Sequence, residues 1–248
     1  MIIDQTMAIA DRKLRAWNER EQLIVEHADD MLRSSGYLGL NLDQLAERIE
    51  YSKATIYNHF ETKEDLVLAV VTRHVKMRSE LFARSLTFNG RSRERMFVIG
   101  IADMILAKLH PHWSEILQLI QSQSIIEKTT PERREAYDKM LGKCMGIVME
   151  ILRQARETGD LPDDSPSDLH IVGGLMSLSK GAHLLGSGYG ISANGRSLDA
   201  LATLFDNYQI FLDGVGWRPL RSEHDYNAVE RRIGEELFAE ELALIQAG

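Results

Sequence analysis

The hydrophobic residues of this chain recur at intervals of three and four along most of its length, with polar residues between them. In the first such run, Ile24, Ala28, Met31 and Leu32 would lie along one side of a helix. Strict alternation of apolar and polar residues, which is typical of half-buried strands, is almost absent. The pattern therefore predicts an all-α protein.

Residues that can cap a helix precede each of the first four apolar runs. These residues are Asn18 with Glu21, Asn41 with Gln44, Ser52, and Thr62 with Asp65. We therefore predict helices over about 19–34, 42–49 and 52–59, and a fourth helix that starts at 62 and continues past 80. Gly36 is predicted to end the first of them.

Asn89-Gly90 interrupts the pattern, and longer apolar helices follow it. One surrounds Met96, a shorter one follows Pro111, and others are predicted over 131–158, 165–185 and 198–212. Gly214, Gly216 and Pro219 then separate an acidic amphipathic segment that begins near Asp225. The segment after 213 is predicted to form one extra C-terminal helix.

Residues 41–60 place two short capped helices around a turn of three or four residues, which is the arrangement of a helix-turn-helix. Ile56 and Phe60 can hold the second helix on a core. This leaves polar side chains on its other faces, and hydroxyl, amide, imidazole and ammonium groups are those that bond phosphates and base edges. An ordinary three-helix core with a solvated polar face would show the same periodicity. Tyr57 alone could also be a partly buried core residue.

The content of this segment resembles the tetracycline-repressor (TetR) family of bacterial transcription regulators. The resemblance is carried by Leu45-Ala46, Ser52-Lys53-Ala54-Thr55-Ile56-Tyr57-Asn58-His59-Phe60 and Lys63-Glu64-Asp65-Leu66. It is close over about residues 19–70, and beyond them it extends only to the helical architecture. It implies a homodimer whose third helices enter successive major grooves of a double-stranded DNA operator. It also implies a palindromic operator and repression as the usual mode, with activation as the alternative. The apolar and aromatic residues of the second domain favour a small hydrophobic or amphipathic effector that releases the repressor.

By position, the resemblance implies that Lys53, Ala54 and Tyr57 face bases. It implies phosphate contacts for Thr55, Asn58, His59 and Lys63, with Asn41 and Ser52 at the two helix starts. The family's turn often reads Ala-Gly-Val, whereas this chain has Ile49-Glu50-Tyr51. Without glycine the turn must avoid or strain a positive φ, and Glu50 brings negative charge near the DNA.

These expectations define four segments. They are an N-terminal arm (1–18), a helix-turn-helix DNA-binding domain with a linking fourth helix (19–88), a ligand-binding and dimerisation domain (89–213), and a C-terminal extension (214–248). Helices near 168–185 and 198–212 are expected to join the two subunits. Within the second domain, we expect the effector to contact Met104, His110, Trp113, Leu117, Met140, Met145 and Met176. Methionine also fills ordinary cores, so a purely structural role remains open for each methionine.

The formal net charge of −8 argues by itself against broad nucleic-acid binding. Residues 51–78, however, hold five basic residues against three acidic ones, so the acidity lies mostly elsewhere. A localised, salt-sensitive DNA contact is therefore expected. Cys144 is the only cysteine, which excludes an internal disulfide and a cysteine-rich zinc site.

No catalytic constellation, metal motif or cofactor motif is recognisable, so we expect neither an enzyme nor a bound cofactor. No membrane span or signal peptide is expected, which favours a cytoplasmic, nucleoid-associated protein. Two alternatives remain. One is a helical enzyme or small-molecule-binding protein with a vestigial DNA-binding domain. The other is an adaptor that binds a partner through the acidic tail.

Overall fold

The computed structural model describes residues 2–120, 123–186, 192–193, 196–197 and 203–247, and within them almost every element is helical. The helices are α1 (Ile2–Gly39), α2 (Leu42–Arg48), α3 (Lys53–His59), α4 (Lys63–Thr87), α5 (Ser92–Leu109), α6 (Trp113–Ile120), α7 (Gln123–Ile126), α8 (Pro131–Glu157), α9 (Asp168–Gly186), α10 (Leu204–Gly214), α11 (Tyr226–Leu237) and α12 (Ala239–Ala247). Two two-residue strands, β1 (Ser192–Ala193) and β2 (Arg196–Ser197), pair antiparallel, with Ser192 opposite Ser197. The prediction of an all-α architecture is confirmed.

The first predicted helix boundary is wrong. Helix α1 begins at Ile2 rather than at 19, so the residues expected to form a separate arm continue the same helix. Residues 10–17 consist largely of alanine, arginine, lysine and leucine, which favour helix, and Asn18 therefore lies inside a helix instead of capping one. Gly36 does interrupt α1, as predicted, because it adopts a non-helical conformation with φ 65°.

Several later boundaries agree with the sequence pattern. Helix α8 starts at Pro131 and ends at Glu157, and α9 (Asp168–Gly186) covers most of the helix predicted over 165–185. Helix α10 starts at Leu204, and residues 198–202 of the predicted 198–212 helix lie outside the described residues. The short helix α7 was not predicted. The extension after 213 contains two helices, α11 and α12, where one was expected.

The chain divides into two compact units, and the first comprises Met1–His74 and Ile116–Asp138. Its core is formed where α1, α2, α3 and the start of α4 converge. Ile24, Leu45, Ile56 and Leu66 contribute one residue from each of these helices, and each is fully buried. Because α2 and α3 are too short to be stable alone, this shared core fixes their positions.

The second unit comprises Val75–Glu115 and Lys139–Gly248. Helix α5 is its central element, since it is buried on nearly all sides and packs against α9, α11 and α12. A helix that is buried around most of its circumference belongs in the interior of a bundle. Helix α10 lies against α9, with Gly174 facing the ring of Phe211 at a spacing that leaves no room for a Cβ atom.

The C-terminal extension packs on the second unit. Trp217, Ile233 and Phe238 are fully buried, and Arg84 of α4 donates to the Leu237 carbonyl and pairs with Glu241. The apolar side of the tail is therefore covered by its own chain, which removes the main reason for treating the tail as an adaptor. In the part of the chain that the structure describes, no helix is long and apolar enough to cross a bilayer.

Candidate nucleic-acid interface and ligand cavity

Side-chain caps fix the two helices of the helix-turn-helix, as the sequence predicted. Asn41 Oδ1 accepts hydrogen bonds from the amides of Asp43 (2.8 Å) and Gln44 (3.3 Å) at the start of α2. Ser52 Oγ accepts one from the Thr55 amide (3.1 Å) at the start of α3. These bonds satisfy amides that would otherwise lack partners, so they define where each short helix begins.

Helix α3 presents one polar face to solvent. Lys53, Ala54, Tyr57 and Asn58 are exposed, and Tyr57 keeps 45% of its surface accessible. Spacings of i and i+4 place these side chains on a single side of the helix. The opposite side carries the fully buried Ile56. The geometry thus offers an ammonium, a phenol and an amide together, which are groups that can contact bases and phosphates.

Both candidate lysines have local partners. Lys53 Nζ pairs with Asp43 at 2.7 Å, and this hydrogen bond raises the pKa of Lys53. Both side chains are about half exposed, so the pair contributes little stability and can exchange for a phosphate. Lys63, at the start of α4, lies 4.4 Å from the centre of the Tyr37 ring, and partial burial lowers its pKa. Thr55 is half-buried, and its hydroxyl is hydrogen-bonded to that of Ser52.

His59 does not occupy the exposed position that its expected phosphate contact requires. Its side chain has no exposed surface, its ring stacks on Trp17 at 3.7 Å, and its Nδ1 atom lies 3.4 Å from Glu21. Burial lowers the pKa of His59 despite the attraction of Glu21. In this structure the His59 ring therefore packs between α1 and α3 and does not face solvent. The sequence pattern places it on α3 but carries no signal for the residue that covers it.

Arg133 is a residue of this region that the sequence reasoning missed. It lies in the first turn of α8, where it pairs with Glu21 (2.6 Å) and donates to the His59 carbonyl (3.0 Å). Its guanidinium also lies over the Phe60 ring, 4.5 Å from the centroid. An arginine that bonds the last carbonyls of a helix satisfies acceptors that lack partners and favours the helix dipole. Arg133 therefore ties the carboxyl end of α3 to the beginning of α8.

The turn between α2 and α3 contains the one non-glycine residue with positive φ in the described chain, Glu50 (φ 57°). The Tyr51 amide donates to the Ala46 carbonyl (2.9 Å) and the Glu50 amide to the Glu47 carbonyl (3.2 Å). These two bonds form a Schellman motif, whose left-handed position is usually glycine. The turn therefore keeps its geometry at the expense of backbone strain, the second of the two outcomes that the sequence allowed.

Replacing Glu50 with glycine is expected to raise the free energy of unfolding by about 1 kcal/mol, because it relieves the left-handed strain. Removal of the carboxylate should also strengthen DNA binding at low salt. The Glu50→Gln variant is the matched control, since it removes the charge but keeps the strain. Urea unfolding should show added stability in Glu50→Gly only. A loss of stability on Glu50→Gly would contradict this account of the turn.

The second unit contains a small cavity of about 30 Å³ among α5, α9 and α10. Six apolar residues and one tyrosine line it: Met96, Phe97, Ile99, Gly100, Leu175, Leu212 and Tyr208. This volume holds about one water molecule, whereas sites for drug-sized ligands occupy ~300–1,000 Å³. An effector of that size would therefore have to enlarge the cavity.

The seven expected effector contacts do not converge on this cavity. Met104 packs against a cluster that includes Tyr208, a residue of the cavity lining. Met145 and Met176 are 36% and 42% exposed and do not line the cavity. Trp113 is buried and stacks on His110 at 4.0 Å, Met140 is half-buried, and Leu117 belongs to the first unit.

Comparison with known proteins gives the same assignment for the amino-terminal segment. Residues 24–70 match the family described as bacterial regulatory proteins, tetR family. The HTH-type transcriptional activator FasR of Mycolicibacterium smegmatis is 32% identical over 144 residues, which are 57% of this chain and 62% of that protein. The chain thus matches less than two thirds of that relative's length. The HTH-type transcriptional repressor AcnR of Corynebacterium diphtheriae is 26% identical over 60% of this chain and 72% of its own length.

Solved structures resemble the chain over a longer span. FadR of Bacillus subtilis, solved in complex with stearoyl-CoA, superposes with a TM-score of 0.62 at 15% identity, covering 78% of this chain and 98% of FadR. A putative regulator of Saccharomonospora viridis, solved with choline, gives a TM-score of 0.62 at 19% identity. The match covers 79% of this chain and 96% of that regulator. At these identities the likeness concerns the fold. The capped helix-turn-helix therefore lies in the segment, residues 24–70, that matches the tetR family of bacterial regulatory proteins, and the chain as a whole resembles solved regulators in fold.

Proposed function

We propose that this protein is a ligand-responsive transcription regulator that binds a palindromic DNA operator as a homodimer. The observation that carries the proposal is the solvent-facing side of α3, where Lys53, Tyr57 and Asn58 stand on a helix that caps and a buried core hold in place. A helix presented in this way is the reading element of helix-turn-helix proteins. Asn41, Ser52, Ala54, Thr55 and Lys63 complete the proposed DNA surface, and His59 supports it from the buried side.

The proposed mode is repression that a small hydrophobic or amphipathic effector relieves. The relatives named above include an activator and a repressor, so the direction of regulation is part of the proposal. FadR of Bacillus subtilis was solved with stearoyl-CoA, which supports an amphipathic effector for this chain. The effector would bind within the proposed ligand-binding segment 89–213, with Met104 near it, and residues up to 88 would form the DNA-binding segment.

Release from DNA requires the effector to favour one arrangement of the helices over another. Helix α4 starts at Lys63 of the DNA surface and continues to Thr87, and α8 carries Arg133 at its start and continues to Glu157. Helix α4 therefore leads from the DNA surface to the boundary of the ligand-binding segment, and α8, which lies within that segment, contacts the end of α3 through Arg133. We propose that effector binding displaces them and so changes the spacing of the two reading helices from the ~34–36 Å repeat of successive major grooves.

The proposal is tested by selecting duplexes of about 30 base pairs from a random library with the full chain. One operator turn is about 10 base pairs, so a dimer should enrich sequences with two inverted half-sites at that spacing or a multiple of it. Enrichment of single half-sites would argue against the homodimer, and failure to enrich any sequence would overturn the regulator proposal. Addition of an effector should release the selected duplex.

The proposed dimer surface consists of α9 and α10, which pack side by side. Leu169, Met176 and Leu184 lie on one side of α9 at intervals of seven and eight residues and are 74%, 42% and 45% exposed. Ile210 of α10 is 56% exposed. Large apolar side chains exposed along one helix face are typical of an interaction surface, and a two-fold axis would let the same stripe cover itself.

The Leu169→Glu and Ile210→Glu substitutions should each shift the protein toward monomer, because they place a charge in the apolar interface. Sedimentation velocity on the full chain measures this shift. Leu244→Glu is the matched control, since Leu244 is a 63% exposed leucine on α12, outside the proposed surface. A dimer that survives both substitutions unchanged would place the interface elsewhere.

A further inference from the structure

Four helices of the second unit bring polar side chains to one interior position. Arg78 of α4 donates from Nη2 to Asp103 of α5 (2.9 Å), and Ser179 of α9 donates to the same carboxylate oxygen (3.3 Å). Tyr208 of α10 is hydrogen-bonded to Ser179. Asp103, Ser179 and Tyr208 are all buried. None of the four residues is explained by the DNA surface, and buried polar clusters of this kind often mark binding sites.

In this cluster hydrogen-bond donors exceed acceptors. The Asp103 carboxylate faces two donors, whereas the Arg78 guanidinium has five N–H groups in a fixed fork. Arg78 Nε is buried 2.8 Å from Asp103 Oδ1 but forms no well-aligned hydrogen bond. The Arg78 side chain as a whole is 34% exposed, although its Nε atom is buried. A ligand group that completes this cluster must supply acceptor oxygens, which a carboxylate does with matching planar geometry.

The apolar cavity adjoins this polar cluster. The Tyr208 ring lines the cavity, while its hydroxyl belongs to the cluster. Phe97, Leu175 and Leu212 provide apolar walls from three helices. Burial raises the pKa of Tyr208, so the hydroxyl keeps its proton at neutral pH and can hydrogen-bond a ligand. The polar cluster and the apolar cavity therefore lie next to each other in the second unit.

We propose that this site receives an amphipathic carboxylic acid, whose carboxylate binds Arg78 and whose hydrocarbon chain enlarges the cavity among α5, α9 and α10. One part of this proposal rests on the proposed function, namely that the bound carboxylic acid is the effector. Arg78 and Lys63 lie on the same helix, α4. A carboxylate that binds Arg78 therefore contacts the same helix that contributes Lys63 to the proposed DNA surface.

Three probes of equal chain length separate the chemistry of the head group: dodecanoate, dodecanol and dodecyltrimethylammonium. We expect the full chain to bind dodecanoate at least about tenfold more tightly than the ammonium probe, because a charge-assisted bond contributes of that order. Arg78→Gln should remove this preference and leave dodecanol binding nearly unchanged. Arg78→Lys should give an intermediate affinity, since it keeps the charge without the planar fork. Arg153→Gln, an exposed arginine on α8, is the matched control.

Isothermal titration below the critical micelle concentration measures these affinities, and circular dichroism verifies that each variant is folded. Preference for the ammonium probe would overturn the proposal, as would full dodecanoate affinity in Arg78→Gln. If Arg78→Gln fails to fold, Leu175→Trp, which fills the cavity, should weaken all three probes, and unchanged binding would also overturn it. Selection of DNA by the chain is measured separately. Arg78-dependent dodecanoate binding without DNA selection would therefore refute the proposed function alone.

Discussion

Tyr57→Ala is expected to weaken binding of the selected operator about tenfold or more, the range of ~1–3 kcal/mol for loss of one base contact. The reason is geometric: Tyr57 projects from the exposed side of α3, with 45% of its surface accessible, and so is free to meet DNA. Because the ring contributes little to the core, the variant should unfold at the same temperature as the parent. Fluorescence anisotropy at fixed salt measures the affinity.

Lys63→Gln should behave differently, because a phosphate contact carries no sequence information. Its loss should weaken binding of selected and random duplexes alike and reduce the slope of log affinity against log salt by about 0.9. Lys76→Gln is the matched control, since Lys76 is an exposed lysine of α4 that only approaches Glu80. Parent affinity in both Tyr57→Ala and Lys63→Gln would remove α3 and the start of α4 from the DNA interface.

Arg93→Met is expected to lower the free energy of unfolding by about 3–5 kcal/mol, the usual cost of breaking a buried charge pair. Arg93 has no exposed surface. Its guanidinium donates to the carbonyl of Trp217 (2.5 Å) and to the Gln209 side chain (2.6 Å), and it pairs with Asp213 (2.8 Å). One side chain thus joins α5, α10 and the beginning of the C-terminal extension.

Removing Arg93 takes these donors away from the buried Trp217 carbonyl and Gln209 side chain, whereas Asp213 still accepts from the Arg221 amide, so the extension should loosen from α5. Urea unfolding followed by circular dichroism measures the change in stability. Arg231→Met, an exposed arginine on α11, is the matched control and should change stability by less than about 0.5 kcal/mol. A loss below about 1 kcal/mol in Arg93→Met would show that the extension is held by its apolar residues alone.

Local features of the sequence predicted local structure well. Asn41 and Ser52 cap the helices that the pattern places after them, and Pro131 starts α8 as expected. Each of these signals acts through a side chain on backbone groups a few residues away, so neighbouring sequence contains all the information needed. The start of α1 is the exception, because a capping pattern at Asn18 does not stop a helix when the residues before it also favour helix.

Features that depend on distant residues could not be predicted in this way. His59 is 42 positions from Trp17 in the sequence, yet the two rings stack. Arg133 is a further 74 residues from His59 and donates to its carbonyl. Periodicity gives the face of a helix but not the element that covers it. The expected phosphate contact of His59 and the missed role of Arg133 both follow from this limit.

The residues expected to contact the effector show that sequence periodicity does not identify a cavity lining either. Methionine suits a plastic pocket, but Met145 and Met176 lie on exposed surface. The cavity is instead lined by residues such as Phe97 and Tyr208, which look like ordinary core residues in the sequence. Whether an apolar side chain lines a cavity or fills a core depends on the volume left by neighbouring helices, which the sequence does not specify locally.

The sequence by itself determined the all-α fold, the helix-turn-helix and its caps, and the polar residues of α3 that can meet DNA. Tertiary structure decided that the extension after 213 is part of the second unit, that Arg93 is buried within it, and that Arg78 and Asp103 meet beside a cavity. The physical reason is the range of the interactions. Caps and amphipathic periodicity act within one helical turn, whereas burial and ion pairing arise only when distant segments pack together.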